Sequence, residues 1–209
     1  MVRIINFVSF GDSLTVGFVP SVLPENHPYS QFLKEVVDGF LERFGGKGTV
    51  EIRIRNKGIN GDLTSAMLLR FREDVINTKP DYVIILGGAN DIGWRFSVKE
   101  TWSNLKRMLE MAKENGIEPI GCTVPSILGW DEGILPRLQL NQSLKQFCRE
   151  KGFYCVDLFG KTCEPKTKRL KSNYSNDGLH LNAKGYRKMA ETIFEESVKH
   201  ILIRELNLR

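Results

Sequence analysis

The chain has 209 residues, of which 41% are hydrophobic and 26% charged, with a formal net charge of +5. That composition excludes a disordered or collagen-like chain, and no apolar run approaches the ~18 residues that a membrane-spanning helix needs. So mild a basic balance is no argument for nucleic acid, and the length suits one α/β domain covering residues 1–209.

Residues 3–10 form a short apolar run that reads as a buried strand leading straight into Gly11-Asp12-Ser13. This N-terminus lacks the long apolar stretch and small-residue cleavage site of a secretory leader, so a cytoplasmic setting with reduced thiols is expected. Residues 14–29, with Pro20, Pro24 and Pro28, read as a long connection. Residues 30–44 carry Phe32, Leu33, Val36, Val37, Phe40 and Leu41 at helical spacing and stop at Gly45-Gly46. In residues 50–56, Val50, Ile52 and Ile54 alternate with Glu51, Arg53 and Arg55, the period of an edge strand with one wet face.

A helix follows over 63–77, with Met67, Leu68, Phe71 and Val75 on its stripe. Then come a very apolar strand at 81–86 and a helix at 98–115 that stops at Asn115-Gly116. Strands at 117–122 and 153–157 flank a helix at 135–150. A polar, basic connection over 158–176 leads to a terminal helix at 183–206. The alternation predicts a five-stranded parallel sheet with helices on both faces, whose ligands bind beyond the carboxyl ends of the strands.

Chemistry concentrates at those ends. Ser13 follows strand one and a turn-forming glycine, but a serine hydroxyl is a weak nucleophile without a base. Of three histidines, His200 falls within the terminal helix and His27 in a proline-flanked loop. His180 stands at the entrance to the last helix, three residues after Asp177, a spacing that sets a carboxylate beside an imidazole. Two glycine-rich blocks, Gly58-Ile59-Asn60-Gly61-Asp62 and Gly87-Gly88-Ala89-Asn90-Asp91, follow strands two and three. They offer N–H donors, although each alone also fits ordinary turn chemistry. Asp12 and Asp91 read as supports of these turns, and Thr15 and Thr64 as turn or cap residues.

With its four blocks in order, Phe10-Gly-Asp-Ser-Leu-Thr, Gly58-Ile-Asn-Gly-Asp-Leu-Thr, Gly88-Ala-Asn-Asp and Asp177-Gly-Leu-His, the sequence resembles the GDSL, or SGNH, hydrolase family. The resemblance runs from about residue 4 to residue 190. It implies a flavodoxin-like three-layer α/β/α sandwich, with Ser13 as nucleophile, His180 as base and Asp177 as its orienting carboxylate. It further implies an oxyanion hole of the Ser13 and Gly61 N–H groups and the Asn90 amide. The expected activity is hydrolysis of small carboxylic esters; O-deacetylase, lysophospholipase and thioesterase variants stay open. The competing readings are an acyltransferase using the same acyl-enzyme and a non-catalytic flavodoxin-like binding module.

The loops after strands one, three and four supply candidate substrate-binding residues: Val16, Phe18, Trp94, Val124, Pro125, Ile127 and Trp130. No cofactor or metal is expected, since no Cys/His/Asp cluster has ligand spacing. The expected partner is a small-molecule ester, with no nucleic acid and no stable membrane anchor. The oligomeric state is not legible: the apolar tail Ile201, Leu202, Ile203, Leu206 and Leu208 suits either its own domain or a second copy. Among Cys122, Cys148, Cys155 and Cys163, the pairings Cys148–Cys155 and Cys155–Cys163 are left open for a hyperthermophilic source. The basic surplus falls wholly within residues 137–188. Its 161–171 segment is either a solvated mobile loop or a device that steers anionic substrates.

Overall fold

The computed structural model describes residues 2–21 and 25–207. Its centre is a parallel sheet of five strands: β1 (Arg3–Gly11), β4 (Val50–Gly58), β5 (Tyr82–Leu86), β6 (Glu118–Cys122) and β7 (Tyr154–Val156), in the order β4-β1-β5-β6-β7. The alternating strand β4 does lie at an edge, while Tyr82–Leu86, apolar throughout, is covered on both faces. The order reverses between β1 and β5: the chain leaves β1 for β4 on one side and β5 for β6 on the other, which opens a crevice at the carboxyl edge.

Helices cover the two faces. On one, α2 (Tyr29–Arg43) packs against α8 (Ala183–Ile193). On the other, α5 (Val98–Glu114) lies between α3 (Thr64–Asp74) and α6 (Ile134–Lys151). This is the three-layer arrangement expected from the sequence. Its core runs through Phe7, Phe10, Ile84, Leu86, Met67, Leu109, Tyr186 and Met189, all nearly inaccessible.

Several connections differ from their expected form. Residues 14–29 are not one long loop. Ser13–Val16 is a single-turn helix, α1, ended by Gly17 in the left-handed region. Phe18–Val19 (β2) and Glu25–Asn26 (β3) then pair as a small antiparallel ribbon; Pro24 lies outside the described residues. The 158–176 stretch holds α7 (Leu158–Thr162), a bridge between Cys163 and Leu170, and a 3₁₀ turn at Ser172–Tyr174. The expected terminal helix is interrupted by a π turn, Phe194–Val198, before α9 (Lys199–Glu205). Ile201 and Leu202 are fully buried and Leu206 packs on the core, so this tail docks on its own chain; Leu208 lies outside the described residues. All four cysteines are free, so neither disulfide pairing is formed. Among the described residues, no helix is long and apolar enough to cross a membrane.

Candidate active site

The carboxyl edge of the sheet brings the four blocks together. In the strand register, Gly11 stands between Gly58 of β4 and Leu86 of β5, so the loops after all three strands start side by side. A Cβ on Gly11 would lie 2.1 Å from the Leu86 carbonyl oxygen, closer than any side chain tolerates, and only glycine lets the strand turn here. Asp12 then caps α1: its Oδ1 accepts from the Leu14 N–H at 2.9 Å. That places Ser13 at the first position of α1, where its own N–H has no partner within the helix.

His180 closes over Ser13 from the opposite end of the sequence. Its Nε2 lies 3.1 Å from Ser13 Oγ and its Nδ1 lies 2.8 Å from Asp177 Oδ2. The other Asp177 oxygen accepts from the N–H groups of Leu179 (2.9 Å) and His180 (2.8 Å), which fixes the turn as well as the ring. Burial works to raise the Asp177 carboxyl. The bond to His180 and the two backbone N–H bonds outweigh it and hold the group below its usual range. Ser175 completes the turn: its hydroxyl donates to the His180 carbonyl at 2.6 Å and accepts from the Gly178 N–H at 2.8 Å. The Phe18 ring meets the His180 ring edge-on at 4.9 Å, and the Phe18 carbonyl accepts from the Tyr186 hydroxyl. His27 instead faces Glu25 at 2.9 Å, and His200 is exposed on α9.

The donors are equally ordered. Gly61 has φ +75°, which turns the loop after β4, and its N–H is engaged by no group among the described residues. Asn90 sits in α4 (Ala89–Gly93) and gives one amide hydrogen to the Asp62 carbonyl at 2.9 Å; the other meets no acceptor among the described residues. Asp91, beside it, accepts from Thr64 N–H and hydroxyl, and so binds the β5 loop to the start of α3. Arg70 ties the same region from beneath. Its guanidinium bonds Asp62, Asp74 and the carbonyls of Lys57 and Gly11, and covers the Phe10 ring.

Beside Asn90 opens a cleft of about 310 Å³, lined by Ala89, Asn90, Gly93, Trp94, Arg95, Ile127, Trp130, Arg137 and Leu179. Of the residues named from the sequence, Trp94, Ile127 and Trp130 line it, with Trp94 75% exposed. Val124 and Pro125 do not line it. Val124 is buried in the core, its backbone bonded both ways to the Asn141 amide, and Pro125 is buried beside it. The packing that fixes the β6 loop consumes these two side chains. Val16 and Phe18 do not line it either: Val16 ends α1, and Phe18 lies in the ribbon against the His180 ring.

Arg137 was missed in the sequence because an arginine in an amphipathic helix normally belongs to the wet face. The signal was present: Ile134, Arg137, Asn141, Leu144 and Cys148 recur at spacings of three and four and are all buried. A cation on the buried stripe of a helix calls for an explanation.

The profile of the GDSL-like Lipase/Acylhydrolase family matches residues 9–188. The chain belongs to that family. Among family relatives, an arylesterase of Vibrio mimicus is 27% identical over 207 residues, covering 91% of this chain and 87% of its own. An uncharacterized lipoprotein, YqeF, of Bacillus subtilis is 33% identical over 129 residues; the match covers 58% of this chain and about half (49%) of that relative. The crystal structure of the lipase/acylhydrolase from Enterococcus faecalis superposes with a TM-score of 0.76 at 24% identity, over 94% of this chain and 96% of that one. That likeness places the GDSL fold on this chain.

Proposed function

We propose that the protein is a serine esterase that hydrolyses small carboxylic esters through an acyl-enzyme on Ser13. The observation that carries this reading is the unbroken chain from Asp177 through His180 to Ser13 Oγ, at 2.8 and 3.1 Å, beside N–H donors that no other group among the described residues engages. The similar arylesterase lends it further support.

In the proposed reaction, Ser13 Oγ attacks the ester carbonyl carbon while His180 Nε2 takes its proton. Asp177 holds the ring with its N–H at Nδ1 and stabilises the imidazolium. The oxyanion of the tetrahedral intermediate sits among the Ser13 N–H, the Gly61 N–H and the free amide hydrogen of Asn90. The intermediate collapses as His180 returns the proton to the leaving alcohol. Water, deprotonated by His180, then attacks the acyl-enzyme and releases the acid, restoring Ser13.

Labelling with a fluorophosphonate probe tests the reading, since only an activated serine reacts. Wild type is expected to label at Ser13 and Ser13→Ala to lose both label and ester turnover. Undiminished turnover in Ser13→Ala would sink the proposal.

A further inference from the structure

The cleft beside Asn90 contains a buried cation with no ion-pair partner among the described residues. Arg137 is 1% exposed, yet no acidic side chain among the described residues lies within ion-pair distance of it. Its Nη1 donates to the Gly133 carbonyl at 2.9 Å, its guanidinium faces the Trp130 ring at 5.9 Å, and its Nε has no partner among the described residues. Burial pulls its pKa down to about 10, against the opposing pull of the Asp12 carboxylate, so it remains a cation at neutral pH. A buried cation with so few partners is unfavourable, and a planar guanidinium is shaped to hold a carboxylate through two parallel N–H bonds.

The surroundings are built for this side chain. A Cβ at position 133 would lie 2.5 Å from the Trp130 ring and 2.8 Å from Arg137 Nη1, so glycine there makes room for both. Arg137 belongs to the first turn of the 18-residue helix α6, whose dipole favours an anion at this end. The nearby carboxylates of Asp131 and Glu132 are already held, by Arg169 and Arg95.

We infer, building on the esterase reading of Ser13, that Arg137 binds a carboxylate carried by the substrate, so that the enzyme selects esters with an anionic group in the part lodged beside Trp130. The group enters next to Asn90, on the same side as the oxyanion donor, and the guanidinium positions the ester rather than joining the chemistry.

Two matched pairs of esters test this. Mono-p-nitrophenyl succinate against p-nitrophenyl butyrate puts the carboxylate on the acyl side; 4-acetoxybenzoate against phenyl acetate puts it on the alcohol side. In one pair, wild type is expected to prefer the carboxylated ester at least tenfold in kcat/KM, mainly through KM, and to keep that preference in 500 mM salt. In Arg137→Met the preference ratio is expected to fall at least tenfold, and Arg137→Lys to restore part of it. No preference in either pair, a preference that survives in Arg137→Met, or one abolished by salt would overturn the assignment. If Arg137→Met fails to fold, product inhibition of wild type decides: the product with the extra carboxylate (succinate against butyrate, or 4-hydroxybenzoate against phenol) should bind at least tenfold more tightly than its counterpart, and equal inhibition would overturn the inference. Absence of both fluorophosphonate labelling and any ester turnover marks failure of the esterase reading itself. Turnover of neutral esters without preference marks failure of the Arg137 assignment alone.

Discussion

Asp91 and Thr64 join two loops that are 27 residues apart in sequence: the buried Asp91 carboxylate accepts from both the N–H and the hydroxyl of Thr64, the latter at 2.5 Å. Asn104 donates to the same hydroxyl at 3.1 Å, so α5 is tied in as well. Hydrogen bonds to a buried charge are worth about 1.5–3 kcal/mol each, and an unpaired N–H left behind is itself costly. Asp91→Ala is therefore expected to lower unfolding free energy by about 2–4 kcal/mol in urea titrations. It should also reduce ester turnover, because Asn90 loses the anchor of its neighbour. An unchanged denaturation midpoint would remove Asp91 from this role.

Asp12 makes the stability of the fold depend on pH. Its side chain is fully buried, Oδ2 has no partner among the described residues, and burial pushes its pKa from an ordinary 3.8 up to about 7. Between those two values the folded protein keeps a proton that the unfolded chain releases. Stability from this group is thus fully present below about pH 4 and is lost as pH rises through about 7. Asp12→Asn keeps an acceptor for the Leu14 N–H and cannot ionise. The stability of wild type relative to Asp12→Asn should fall by on the order of 1–3 kcal/mol between pH 5 and pH 8. Parallel stability profiles for the two proteins over that interval would contradict the assignment.

Two glycines of the site should respond differently to alanine. At Gly11 a methyl group meets the Leu86 carbonyl oxygen at 2.1 Å, backbone that cannot move without breaking the β1–β5 pairing. At Gly61 nothing lies within 4 Å, and only the left-handed φ of +75° resists the change. Gly61→Ala is expected to cost about 1–2 kcal/mol in thermal or urea unfolding. Gly11→Ala should be several-fold worse or fail to accumulate as folded protein. Equal effects would show that the strand ends are less rigidly packed than the register implies.

The legibility of each feature in the sequence depended on its length and chemistry. The five strands were legible because apolar runs such as Tyr82–Leu86 have few other uses, and the alternation of Val50, Ile52 and Ile54 marked the edge. The four-residue α1 and the two-residue strands of the ribbon are too short for any periodicity to register. The basic 161–171 stretch looked mobile by composition. Its order comes from long-range bonds that no local pattern encodes: Leu170 N–H to the Ile127 carbonyl, the Ser126 hydroxyl to the Lys168 carbonyl, and Arg169 to Asp131. Ser13, Asp177 and His180 were named by motif, and the fold sets them within hydrogen-bond reach; the Asp91–Thr64 tie and the buried place of Arg137 required the fold. Val124 and Pro125 erred in the other direction, as apolar loop residues that fill the core.

Asn90 offers the sharpest kinetic test of the proposed oxyanion site. One of its amide hydrogens is fixed by the Asp62 carbonyl at 2.9 Å, which orients the other without any rearrangement during the reaction. A donor preset in this way acts most strongly on the charge that develops in the transition state, so removing it should lower kcat more than it raises KM. Asn90→Ala is expected to reduce kcat by ~10²–10³, and the loss of one partner for the Asp62 carbonyl should lower stability by only about 1 kcal/mol. Asn90→Asp presents no such amide donor and should be at least as slow. Steady-state kinetics on p-nitrophenyl esters, alongside thermal unfolding of each variant, separates the outcomes. A folded Asn90→Ala protein with kcat within threefold of wild type would place the oxyanion elsewhere.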